Sequence, residues 1–195
     1  MARIDSKYYV NGQDFSDVPF GNHPGNVKDH GGCAISCLAT YMLSRSGLST
    51  VTRANKVAAL TALNSSGLFT NPDNRALRWA PQNYNISFNN STIKVAYNQT
   101  TDVAAEVAQG KIGMLRFTGY NANNVFCSHF VLVDGLDNAS QAAPDDPDNF
   151  KKHLCVDPSG GVSRTLHAAI KHLLGASVTP NLSHIDSQWR TVFVP

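Results

Sequence analysis

The run Gly31-Gly32-Cys33-Ala34-Ile35-Ser36-Cys37-Leu38-Ala39-Thr40-Tyr41-Met42-Leu43 carries a glycine-rich polar loop straight into an apolar helical pattern. The chain reads as organised around it. Ile35, Leu38, Ala39, Met42 and Leu43 fall on one helical face, which predicts a helix over 33–46 with Gly47 as its C-terminal stop. A cysteine at the first helical position faces the positive end of the helix dipole, which favours thiolate over thiol. Glycines ahead of it leave room for another backbone to approach. Free cysteine is also among the most buried residue types, so the same stretch is compatible with an inert thiol opening a helix.

Around this helix the patterns divide the chain into a helical first part and a strand-rich second part. A second helix is expected over 52–64 on Val57, Ala59, Leu60 and Leu63, ended by Asn64-Ser65-Ser66-Gly67. Residues 1–31 read as a loop-rich N-terminal segment with turn signals at Asn11-Gly12 and Pro19-Phe20-Gly21-Asn22. Residues 68–90 read as a short helical piece near 75–81, with Trp79 as a core or pocket-wall aromatic, followed by an Asn-rich loop. Strands are expected at 93–97, 112–117, 126–136, 154–156 and 189–194, and helices at 101–109 and 165–174. Residues 137–150, with Asp145, Asp146 and Asp148, read as a polar surface loop. This order predicts an α+β fold, a helical N-terminal layer on an antiparallel sheet, with 1–195 as a single domain.

Composition narrows the function classes. A net charge of +2 with no Lys/Arg cluster argues against a nucleic-acid partner and is mildly compatible with an anionic target such as a cell wall. Met1-Ala2-Arg3-Ile4-Asp5-Ser6-Lys7 lacks the apolar region of a signal peptide, and no apolar run is long enough to span a membrane. The expectation is synthesis in the cytoplasm, with action outside it, at a cell wall or in a target cell, after export by another route. The four cysteines, Cys33, Cys37, Cys127 and Cys155, are then expected to be reduced. Cys127 and Cys155 read as buried strand residues, and His30 as a solvated loop residue or one that tunes the nearby thiol.

A cysteine nucleophile needs a base for its proton and a group that orients the base. His129 stands at the start of an apolar strand, an odd place for a polar ring unless it points into a site. Asp157 ends another strand in Val156-Asp157-Pro158-Ser159-Gly160-Gly161. If these strands are neighbours, Asp157 can fix the His129 tautomer and His129 can serve Cys33. Cys37, inside the helix, is the weaker nucleophile candidate. His153 with Cys155, and His167 with His172, lack zinc-ligand spacing, and the acidic loop lacks the EF-hand pattern. With no phosphate-cradling loop or dinucleotide fingerprint, neither metal nor cofactor is expected.

Together these motifs resemble the papain-fold cysteine peptidases, in the branch related to the bacteriocin-processing peptidase domain. Gly32-Cys33-Ala34-Ile35-Ser36-Cys37-Leu38-Ala39 is similar to the family's nucleophile opening, Ser128-His129-Phe130-Val131-Leu132-Val133 to its histidine strand, and Asp157-Pro158-Ser159-Gly160-Gly161 to its Asp-Pro turn. Residues 103–117 are similar to the helix-Gly-strand step before that histidine strand, so the resemblance spans about 11–161. It implies Cys33 as nucleophile, His129 as general base and Asp157 as orienting acid. It also implies an oxyanion-stabilising glutamine upstream of the cysteine. The processing peptidases carry it a few residues before the Cys, where this chain has Asn26 and Val27. Stand-alone members place it in a Gln-x-Asp-like motif before a Pro-Tyr/Phe-Gly turn; Gln13-Asp14 followed by Pro19-Phe20-Gly21 is similar to that version, which makes Gln13 the candidate oxyanion donor together with the Cys33 N–H. Position 128 is Ser where the family has Gly. The implied activity is a cysteine peptidase or amidase on peptide substrate, with bacterial peptidoglycan as the favoured target in the manner of a phage lysin or antibacterial effector. A protein substrate, an acyl transferase on the same triad, and a catalytically silent papain-fold binding module are the alternatives.

Overall fold

The computed structural model of the chain describes residues 3–20, 25–28, 32–68, 84–100, 102–137 and 151–194. His30, the 75–81 helical piece with Trp79, the Gly21-Asn22 end of the second turn signal, and Asp145, Asp146 and Asp148 lie outside them. The chain forms two compact units. One comprises Ile4–Tyr97 and Pro158–Val162, the other Asn98–Asp157 and Ser163–Val194 together with Arg3.

The first unit is built on α1 (Cys33–Arg45). The one-sided pattern expected for this helix is incomplete, because every residue from Ala34 to Leu43 is buried. Its other faces carry Ala34, Ser36 and Thr40, small enough for neighbouring backbone to pack closely, so the helix is enclosed all round. Its neighbours are the following helix and the N-terminal segment, where Val10, Phe15, Val18 and Phe20 are all buried. Each such phenylalanine contributes roughly 2–3 kcal/mol by leaving water. Buried Thr40 is satisfied by accepting the Val10 N–H at 3.0 Å. α2 (Arg53–Ser65) opens with a reciprocal cap: Thr52 accepts from the Asn55 N–H, and the Asn55 side chain accepts from the Thr52 N–H at 2.9 Å. Of its expected apolar positions Ala59, Leu60 and Leu63 are buried, while Val57 is only half-buried.

The Asn-rich loop expected up to residue 90 is instead half strand. β1 (Tyr84–Phe88) pairs antiparallel with β2 (Ser91–Gln99), Phe88 opposite Ser91 and Ile86 opposite Ile93. The alternation of Tyr84, Ile86 and Phe88 is the signal that the asparagines obscure. Asn89 and Asn90 form the turn itself, with φ of 51° and 59°. Positive φ at both central residues is what a tight hairpin matched to strand twist requires, and asparagine tolerates it.

The second unit holds α3 (Val103–Ala108), β3 (Gly113–Tyr120), β4 (Phe126–Leu136), β5 (His153–Asp157), β6 (Val162–Thr165), α4 (Leu166–Leu174) and β7 (Ile185–Val194). Strands run in the order β7-β3-β4-β5-β6, with β3 antiparallel to β4 and β7, and β4 antiparallel to β5. β6, which had no counterpart among the expected strands, is four residues long and too short for an alternation signal. α4 starts where Thr165 accepts the Ala168 N–H and stops at Gly175 with φ of 120°. Its buried face, Leu166, Ala169, Ile170 and Leu174, packs on Leu115, Phe117, Val131, Val133 and Cys155 of the sheet, with Val103 and Val107 of α3 completing the cluster. The architecture is α+β with antiparallel sheets. Among the described residues no helix is long and apolar enough to cross a membrane.

A glycine decides where α1 begins. Gly32 has an ordinary φ of −64°, but a Cβ built on it would lie 2.5 Å from both Cγ1 and the carbonyl oxygen of Val27. That oxygen accepts the Gly32 N–H at 3.1 Å, so the two backbones must touch. Gly32→Ala is expected to lower stability by about 2–3 kcal/mol through overpacking against backbone. Urea unfolding checks this, and an unchanged midpoint would show that the loop yields freely.

Candidate active site

In the second unit the pairing register brings two of the proposed site residues together. Leu132 stands opposite Val156, so by antiparallel continuation Val131 is opposite Asp157 and His129 is diagonal to it on the same face. Diagonal neighbours are within reach of long side chains. His129 Nε2 lies 2.7 Å from Asp157 Oδ1, with side-chain exposures of 9% and 1%. Because a carboxylate can only accept, the proton of a neutral imidazole is assigned to Nε2, which makes Nδ1 the basic nitrogen. The ring is also set by Phe117, its cross-strand partner, whose centroid is 5.5 Å away in an edge-to-face arrangement.

A third group, absent from the sequence reading, stands behind the pair. Arg164 on β6 places Nε 3.1 Å from Asp157 Oδ2. The buried carboxylate thus lies between an imidazole and a guanidinium, and the two cation-capable partners approach different oxygens. The only sequence signal for Arg164 was a lone cation shortly after the Asp-Pro-Ser-Gly-Gly turn. Such a charge looks like any solvated surface residue until β6 folds back beside β5.

The first unit holds Cys33 and Gln13. Cys33 opens α1 and is half-buried, its first turn closed by the Ser36 N–H donating to the Gly32 carbonyl at 2.9 Å. The N-cap residue is Gly32, which has no side chain to cap with, and the positive end of the helix dipole lies at the cysteine position. Cys37 is 1% exposed, which withholds it from any substrate. Gln13 is exposed, in the middle of the 3-10 turn Gly12–Asp14. That turn lies against the start of α1: a Cβ built on Gly12 would be 3.1 Å from Ser36 Oγ, one turn past Cys33.

The remaining thiols differ from each other. Cys155 is buried, as expected. Cys127 is not. It sits near the turn end of the β3–β4 hairpin, opposite Gly119 and half-buried, and its thiol donates to the Val125 carbonyl at 3.4 Å. Burial pushes the Cys155 thiol well above its ordinary 9.0, reinforced by the nearby Asp157 and Asp134 carboxylates. Cys155 is therefore a protonated, inert thiol at neutral pH. The folded chain keeps this proton in a range where the unfolded chain releases it, so stability is full below the unfolded value and declines as pH rises above 9.0. The expected loss is up to about 1.4 kcal/mol per pH unit from this one group. Urea unfolding of wild type and Cys155→Ala across the alkaline range should give stability curves of different slope, the variant being flatter. Parallel curves would assign the alkaline sensitivity to other groups, among them Tyr41, whose hydroxyl is also raised by burial.

His153 is fully buried on β5, His167 is half-buried and His172 exposed on α4. Among the described residues no group of three or more His, Cys, Asp or Glu side chains could hold a metal ion. Comparison of the chain with protein-family models, with curated proteins and with solved structures gives no match.

Proposed function

We propose that the protein is a papain-like cysteine peptidase or amidase. The observation that carries this reading is the buried 2.7 Å pairing of His129 Nε2 with Asp157, which leaves Nδ1 as the basic nitrogen of an oriented imidazole. Cys33, a half-buried thiol at the N-terminus of α1, is the nucleophile such a base serves. In the proposed reaction the Cys33 thiolate attacks an amide carbonyl carbon, and the negative charge moves to the carbonyl oxygen. The Cys33 N–H and the Gln13 carboxamide donate to that oxygen. The intermediate collapses with cleavage of the C–N bond, and the His129 imidazolium gives its proton to the departing amine. Water, deprotonated by His129, hydrolyses the thioester, releasing the acid and restoring the thiol. The substrate we favour is bacterial cell-wall peptide, on the mild positive charge of a chain with few charged residues. A protein substrate uses the same steps, and an amine in place of water turns hydrolysis into transfer.

One observation favours a second reading. Arg164 neutralises Asp157 from behind, and a His-Asp-Arg cluster buried in a sheet also serves as a structural ion network in a silent binding module. Thiol chemistry separates the two. Under the enzyme reading, limiting iodoacetamide at neutral pH labels Cys33 before Cys37, Cys127 and Cys155, and peptide mapping locates the label. Peptidoglycan incubated with the protein then releases fragments, read by mass spectrometry, that disappear after labelling. Labelled Cys33 without fragments moves the search to protein substrates. A Cys33 no more reactive than Cys155 overturns the enzyme reading.

A further inference from the structure

Asn11 has no part in the reaction above, yet its carboxamide joins two segments distant in the chain. Its Oδ1 accepts the Gln13 N–H at 3.2 Å and the Gly160 N–H at 3.1 Å, and its Nδ2 donates to Asp14 Oδ1 at 3.0 Å. Alongside, the Gly12 N–H donates to the Pro158 carbonyl at 3.0 Å. Gly161 has a φ of 59°, and a Cβ there would come 2.8 Å from Asn11 Cβ. The 3-10 turn that carries Gln13 is therefore moored to the Pro158-Ser159-Gly160-Gly161 turn, and its other side rests on Ser36 of α1. An isolated 3-10 turn of three residues has little stability of its own, and an exposed glutamine gives it no anchor. An ordinary cap would need only one oxygen accepting one N–H. Asn11 uses that oxygen twice and its NH2 group as well, which neither serine nor aspartate can reproduce alone.

We propose that Asn11 is a positioning residue of the oxyanion loop, holding the Gln13 turn in one place so that the Gln13 carboxamide meets the developing oxyanion already oriented. The inference rests on the assignment of Cys33 as nucleophile and Gln13 as donor. It predicts a selective defect. Alkylation by iodoacetamide forms an S–C bond as iodide leaves and creates no oxyanion. Acylation by p-nitrophenyl acetate passes through one: the thiolate adds to the carbonyl, p-nitrophenolate leaves with the bonding pair, and water later hydrolyses the acetyl thioester.

The experiment measures both rates at Cys33 in wild type, Asn11→Ala, Gln13→Ala, the double alanine variant, and Asn11→Asp combined with Asp14→Asn. The last exchange keeps an oxygen at position 11 for both N–H groups and reverses the donor of the third bond. Asn11→Ala is expected to slow acylation by about 10- to 100-fold while alkylation changes less than about 3-fold. The double alanine variant should acylate no more slowly than Gln13→Ala, since both act through one donor. The exchanged pair should recover most of the acylation rate, and it decides the matter if Asn11→Ala does not fold. Equal loss of both rates, full acylation in Asn11→Ala, or additive losses in the double variant would overturn the proposal. A wild-type Cys33 that reacts with neither probe would instead overturn the nucleophile assignment, and this inference with it.

Discussion

Cys33→Ala is expected to abolish fragment release from peptidoglycan, and the residual rate should be indistinguishable from that of buffer. In the proposed reaction the thiolate is the bond-forming group, and alanine offers no atom to replace it. Loss of a covalent nucleophile in a triad enzyme costs roughly 10⁶-fold in turnover, more than any other single change proposed here. The fold should survive, because Cys33 is half-buried at a helix end and alanine is the best helix former, so thermal stability is expected to stay within about 0.5 kcal/mol. Cys37→Ala is the matching control: it removes a buried thiol one turn on and should leave turnover nearly unchanged. Fragments released equally by Cys33→Ala would exclude thiol catalysis, and loss with Cys37→Ala alone would move the nucleophile into the helix.

Asp157→Ala is expected to cost both rate and stability, and the combination is diagnostic. The carboxylate is 1% exposed and holds His129 on one oxygen and Arg164 near the other. Its removal strands a guanidinium whose side chain is only 21% exposed, a loss of about 3 kcal/mol on the scale of broken buried pairs. It also frees the imidazole to turn and to move its proton to Nδ1, the nitrogen that the proposed reaction needs unprotonated. A lost orienting carboxylate in a triad lowers turnover about 10⁴-fold. Asp157→Asn keeps the shape and should separate the two effects, retaining more of the stability while still lowering turnover. The measurements are urea unfolding and the rate of fragment release on folded protein. If stability falls while the rate of folded protein is untouched, the His129-Asp157-Arg164 cluster is structural and the second reading stands.

Helix and strand positions were largely legible because they rest on local periodicity. α1, α2, α4 and β4 lie within a residue or two of where their apolar spacing, caps and following glycines place them. β1 was missed because Asn83, Asn85, Asn89 and Asn90 together read as loop, although Asn89 and Asn90 make a tight turn between two strands. α1 was read as amphipathic because a helix's small residues look neutral from sequence, and only their neighbours show that all sides are covered.

The sequence by itself determined the candidates: a cysteine at the start of a helix, a histidine on an apolar strand, an aspartate at a turn, and a glutamine in a short turn near the N-terminus. These are statements about residue type and near neighbours along the chain. Only the tertiary structure decided that the β4–β5 register sets His129 diagonal to Asp157 at hydrogen-bond distance, that Arg164 stands behind the carboxylate, and that Asn11 moors the Gln13 turn to a turn 149 residues further along the chain. The physical reason is the range of the forces involved. Periodicity, caps and turns act over a few residues, whereas register and buried polar pairing are settled by which surfaces exclude water together, and that choice is made by the whole chain at once.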